Sequence, residues 1–127
     1  LNTLKILNQQ GYRVALICNS GTTPGSLVRR FLAKIGIAVY LKVLTFSDEE
    51  KLAKPAPSLF WNTLQALDVP PSESVHVGDT PDTDILGANR IGMKTVLIGR
   101  ATCDHIPVIP DARITSLGQL QDVLKNL

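Results

Sequence analysis

The chain has 127 residues, 44% hydrophobic and 19% charged, a composition that suits one folded domain over 1–127 and excludes a disordered chain. Its 13 basic and 11 acidic residues are interspersed and leave a net charge of +2, so no basic face argues for nucleic acid. Its apolar runs fall far short of the ~20 residues of a membrane span, no secretory leader opens the chain, and two cysteines make no disulfide framework, so a cytoplasmic protein with reduced thiols is expected.

Leu1, Leu4 and Leu7 recur at helical spacing, and Gly11 stands where a helix ends. Val14 to Cys18 is a continuous apolar run, the pattern of a strand buried on both faces in a parallel sheet. Asn19 to Gly25 is a polar turn-forming loop. Leu27, Val28, Phe31, Leu32 and Ile35 predict an amphipathic helix that stops at Gly36. Val43 to Phe46 predicts a second strand, and the charged stretch from Ser47 to Lys54 a loop. Lys54-Pro55-Ala56-Pro57 forces extended backbone, and Pro57 then opens a helix lined by Leu59, Phe60, Thr63, Leu64 and Leu67. Pro70-Pro71-Ser72 breaks that helix. Ser74 to Gly78 predicts a third strand, Ile85 to Asn89 a helix stopped by Gly92, and Lys94 to Ile98 a fourth strand. Gly99 to Pro110 is irregular. A short strand near Ile114 and a helix through Leu117, Leu120, Val123 and Leu124 close the chain.

Strands alternating with helices imply an α/β fold: an open parallel Rossmann-like sheet with helices on both faces. Ligands of such sheets bind at the carboxyl ends of the strands. Three loops are predicted on that rim. After Val77 come Gly78-Asp79-Thr80-Pro81-Asp82-Thr83-Asp84. Gly78 would let the backbone turn sharply. Asp79 would offer oxygens to magnesium, which takes few protein carboxylates and keeps its other positions for water and phosphate. Asp84, one turn on, would reach the same cation or its water shell, whereas Asp82 is read as complementing a helix dipole. After Cys18, the donors of Asn19, Ser20 and Gly21 suit an anion near a helix start. Lys54, on a backbone stiffened by prolines, would offer a fixed positive charge to a phosphate. Each has a plainer reading, as a turn residue, a polar turn and a solvated lysine; their convergence on one rim is what argues for a site. His76, inside a strand, is read as a packing residue, Cys18 as a buried thiol rather than a nucleophile, and His105 as having no visible partner.

These residues resemble the motifs of the haloacid dehalogenase superfamily, mostly magnesium-dependent phosphohydrolases. Gly11 to Ser20 resembles the segment of the second motif. Phe46-Ser47-Asp48-Glu49 with Lys54-Pro55-Ala56-Pro57-Ser58-Leu59-Phe60 resembles the third. Val75-His76-Val77-Gly78-Asp79 through Asp84-Ile85-Leu86-Gly87-Ala88 resembles the fourth. The resemblance implies an aspartate nucleophile that forms an aspartyl-phosphate, with a second aspartate as acid and base. It implies that Lys54 stabilises the nucleophile and the transferring phosphoryl group, that Asp79 and Asp84 serve a Mg2+ site, and that Cys18, Asn19 and Ser20 lie against the phosphate. The Gly78-Asp79 pair favours the phosphatase branch over the metal-independent dehalogenases.

Two departures stand out. No aspartate precedes Asp48, so the first motif, an Asp-x-Asp pair on the central strand, is missing together with the cap. Its strand would lie between those ending at Cys18 and Val77, so its absence leaves the sheet without its middle or makes those two pair directly. Cys18 stands where the family has Ser or Thr, and a thiol is a weak donor. The only methionine is Met93 and the first residue is Leu1, which suits a longer protein carrying the missing motif upstream. The expected function is therefore part of a phosphohydrolase acting on a small phosphate ester, inactive as this chain alone. The alternative is a non-catalytic scaffold that binds phosphate, a small ligand or a partner chain. Self-association, or complementation by the missing amino-terminal segment, is the expected association.

Overall fold

The computed structural model describes all of residues 1–127. Helix α1, Asn2–Gln9, turns its one buried side chain, Leu7, inward and ends before Gly11, whose φ of 89° a side chain would strain. Strand β1 is Ala15–Cys18, helix α2 Gly25–Lys34 and strand β2 Val43–Phe46. Ser47–Glu50, expected as loop, forms a single helical turn, α3, ended by Lys51 in the left-handed region. Helix α4, Pro57–Leu67, begins on a proline, and its carbonyl end receives Arg13, whose guanidinium donates to Leu67 O at 2.8 Å.

Strand β3 is Val75–Gly78. The helix expected from Ile85 starts earlier and wider, as a π-type turn over Pro81–Ile85 that runs into α5, Leu86–Arg90. Strands β4, Lys94–Ile98, and β5, Ala112–Ile114, follow, and α6, Leu120–Leu124, closes the chain behind a Ser116/Gln119 capping box.

All pairing is parallel, as expected for α/β alternation, but it falls into two ladders. In one, β1 runs beside β2 with Ala15 opposite Val43 and Cys18 opposite Phe46. In the other the order is β3-β4-β5, with Val75 opposite Lys94 and Val96 opposite Ala112. Strands β1 and β3 do not pair. Of the two outcomes expected at that position, the structure takes the one in which the sheet lacks its middle.

Three apolar clusters hold these layers. Leu7, Val96, Ile114 and Leu120 join α1 and α6 to one face of the second ladder, with Val75 and Val77 against them. Strand alternation sends His76 to the opposite face, where its ring meets the edge of Phe60 at 5.0 Å. Phe60, Leu64, Ala88 and Met93 form the second cluster, which Ile17 of β1 also touches. Ile85, Leu97 and Cys103 form the third and anchor the irregular stretch after β4. The buried hydroxyls of Thr45 and Thr63 bond each other at 2.7 Å and tie β2 to α4. The α2 stripe behaves differently from its prediction: Leu27, Phe31 and Ile35 are exposed and only Gly25 of that helix is buried. No helix is long and apolar enough to cross a membrane.

Candidate active site

Asp84 is the pivot of the rim. The wide turn after β3 brings its carboxylate back over the strand end, and only 3% of the residue is exposed. Its Oδ1 accepts from Lys54 Nζ at 2.6 Å and meets His76 Nε2 at 2.9 Å, while Oδ2 accepts from Thr80 N at 3.2 Å. Burial by itself would push the Asp84 pKa up. The hydrogen bond from His76, then that from Lys54 and the charges of both, outweigh burial and hold it at about 2. The carboxylate is ionised at neutral pH and the Lys54–Asp84 pair is a buried ion pair.

This approach explains Gly78. Its φ is not in the left-handed region, so the expectation that it permits a sharp turn fails. A Cβ there would stand 2.2 Å from Asp84 Cγ, so glycine is required for space. Gly87 serves likewise, since a Cβ on it would stand 2.6 Å from the Phe60 ring and 3.1 Å from Pro55 Cα.

Lys54 is also held from the β1 loop. Asn19 Oδ1 accepts from Lys54 N at 2.9 Å, and its Nδ2 donates to Lys54 O at 3.3 Å. The Lys54–Pro55 bond is cis. Ser20 Oγ donates to Asp48 Oδ1 at 2.6 Å, and Ser20 N donates to Ser47 Oγ at 2.9 Å. Asp48 in turn accepts from Gly25 N, at the start of α2, at 3.0 and 3.2 Å. The Ser20 bond first, then the Gly25 N–H, lowers the Asp48 pKa below the usual carboxylate value. The side chains of Asn19 and Ser20, expected to donate to an anion, are thus committed to fastening loops. Asp48 caps α2, a role the sequence reading missed because it arises across 23 residues of chain. Cys18 is half-buried at the end of β1, less enclosed than expected.

Asp79 stands apart. It is exposed at the end of β3, and its Oδ1 accepts from Thr80 Oγ1 at 3.0 Å. An exposed carboxylate at a strand end is chemically suited to magnesium, which takes few protein carboxylates and keeps its other positions for water and phosphate. Asp84 has both oxygens hydrogen-bonded, Oδ1 to Lys54 and His76 and Oδ2 to Thr80, and no three His, Cys, Asp or Glu side chains gather into a cluster. Its charge faces the Lys54 ammonium, and the expected part of Asp84 in a magnesium site belongs to the proposal below. His76 is more than packing, since it supplies one of Asp84's partners. A histidine inside an apolar strand needs a buried polar partner, the signal that could have found this role in the sequence. His105 pairs with Asp82 through Nε2 and Oδ1, so it is not partnerless, and Asp82 does more than complement a dipole.

Comparison with known proteins agrees with the fold and the family resemblance of the motifs. The family model described as "haloacid dehalogenase-like hydrolase" matches residues 1–92. A glyceraldehyde 3-phosphate phosphatase of Methanopyrus kandleri is 33% identical over 132 residues, covering 98% of this chain and 54% of that protein. The crystal structure of a HAD phosphatase from Thermococcus onnurineus superposes with a TM-score of 0.83 at 33% identity, over 98% of this chain and 55% of that one. That of a 2-haloacid dehalogenase from Pseudomonas syringae pv. Tomato DC3000 superposes at 0.82 and 30%, over 98% and 51%. The chain spans about half the length of the relatives it matches. With motifs, fold and relatives in agreement, the chain belongs to the haloacid dehalogenase-like hydrolases.

Proposed function

We propose that residues 1–127 are part of the core domain of a magnesium-dependent phosphohydrolase that acts on a small phosphate ester through an aspartyl-phosphate. The nucleophile would come from a segment outside these residues. The observation that carries this reading is Lys54, its ammonium held at 2.6 Å by Asp84 on the rim that also bears the exposed Asp79. A fixed cation and an exposed carboxylate are the parts a phosphoryl centre needs for charge neutralisation and positioning. The glyceraldehyde 3-phosphate phosphatase relative supports a small phosphorylated substrate, and the mixed charge supports neither nucleic acid nor a membrane surface.

In this mechanism Lys54 binds the transferring phosphoryl oxygens and holds the nucleophile in its charged form. Asp84 keeps the Lys54 ammonium in place and would reach the water shell of the magnesium that Asp79 would hold. When bound, that ion supplies positive charge to the phosphate oxygens. Asn19 fixes the Lys54 backbone, and Cys18 lies at the strand end nearest the loop that would face the phosphate. The phosphatase reading is preferred to dehalogenation because Asp79 has the chemistry of a metal ligand and is free to act as one.

The test is turnover of an aryl phosphate by the full-length protein across a magnesium titration. Activity that requires magnesium and falls about 1,000-fold or more in Lys54→Ala and in Asp79→Asn is expected, and the 127-residue chain alone is expected to show none. Turnover by that chain alone would overturn the assignment of the nucleophile. The engagement of Asn19 and Ser20 by neighbouring loops favours a second reading, a non-catalytic scaffold. Magnesium binding to the full-length protein without turnover would decide for it.

A further inference from the structure

We infer that His76 is a positioning residue, which acts on the reaction by fixing the carboxylate that fixes Lys54; the inference rests on the phosphohydrolase reading above. Lys54 has four side-chain torsions, and a side chain of that length does not hold its own head in place. Its backbone is clamped from two sides, by Asn19 and by the contact of Pro55 with α5 at Gly87. What then sets the ammonium is Asp84 Oδ1 alone. That oxygen has a second partner, His76 Nε2 at 2.9 Å.

The histidine is itself immobile. Its backbone lies in the β3–β4 ladder opposite Thr95, and the Phe60 edge meets its ring at 84°. An ionised carboxylate only accepts, so the proton lies on Nε2 and the ring donates. The donor comes from a rigid strand and approaches from a set direction, whereas the lysine head turns freely about its last bonds. Two donors on one oxygen leave the carboxylate one orientation. His76 is 9% exposed and lies two residues inside the strand end, so it has no route to substrate. Its effect passes through Asp84 to Lys54.

The test uses the full-length protein with two variants. His76→Gln keeps a nitrogen donor at similar reach, and His76→Leu keeps volume without a donor. If His76→Leu does not fold, His76→Met takes its place, since its flexible chain fills the same space. Expected are a fall in kcat of about 10- to 100-fold with little change in KM for the Leu or Met variant, as for other residues that orient a reacting group from behind, and recovery of most of that loss in His76→Gln. The second readout is the rate at which Lys54 is acylated by a small acid anhydride, which transfers an acyl group to the amine and releases a carboxylate, followed by mass spectrometry. It should rise severalfold in the Leu or Met variant and stay at the wild-type rate in the Gln variant. Equal kcat and equal labelling in all three proteins would overturn the inference, as would a loss that His76→Gln does not recover. Absence of wild-type turnover would fail the phosphohydrolase reading alone, because the labelling rates would still decide whether His76 holds Lys54.

Discussion

On β4, Val96 and Leu97 are sealed from solvent, whereas all four residues of β1 remain half-buried. The second ladder has α1 and α6 on one face and apolar clusters on both. The first has α4 on one side, and its own helix α2 leaves Leu27, Phe31 and Ile35 in solvent. A two-stranded sheet is marginal alone, so β1 and β2 borrow their stability from α4. Two of the bridges between the halves differ in chemistry. The apolar one is Phe60, which shares a cluster with Ile17 of β1 and meets His76 of β3. The polar one is the Lys54–Asp84 pair, because Lys54 is fastened to Asn19 after β1 and Asp84 belongs to the turn after β3. The candidate site therefore sits on the seam between a well-sealed half and a less sealed one.

Removing the apolar bridge is the strongest way to break this comparison. Phe60→Ala should cost about 3–5 kcal/mol, and amide exchange should show both ladders losing protection together. Loss confined to β1 and β2 would show that the halves are joined elsewhere. A matched pair sharpens it next. Leu97→Ala, in the sealed strand, should cost about 2–5 kcal/mol, and Leu16→Ala, half-buried in β1, about 1 kcal/mol or less. Equal costs in denaturant unfolding would refute the unequal burial.

Acid tests the polar bridge. The Asp84 pKa is about 2 in the folded chain, below the ~3.9 of an unfolded aspartate. Unfolding therefore takes up a proton in this range, so the contribution is whole above about pH 5 and disappears as pH falls toward 2. The loss should be roughly 2 kcal/mol and should be missing from the pH profile of Asp84→Asn. The smallest effect belongs to the surface of the less sealed half. Arg29→Ala breaks an exposed pair with Glu49 and the contact of its guanidinium with Phe46, and should cost at most about 1 kcal/mol. That cost should shrink, without vanishing, in high salt, because only the ionic part is screened.

Fold class and element order were legible because the apolar runs at 14–18, 43–46, 75–77 and 94–98 alternate with helical stripes, and local backbone preference and burial agree in each. The rim residues were legible because Asp79 and the Asn19 loop follow strand ends and Lys54 opens a rigid proline turn. What each side chain does on that rim was decided elsewhere. Asp84 turns to Lys54 and His76, Asn19 and Ser20 fasten loops, and Gly78 is demanded by the carbon of a residue six positions on. Local sequence sets periodicity and turns, since those depend on neighbours along the chain. Partner choice between groups on different elements depends on which elements pack together, and only the tertiary structure settles it.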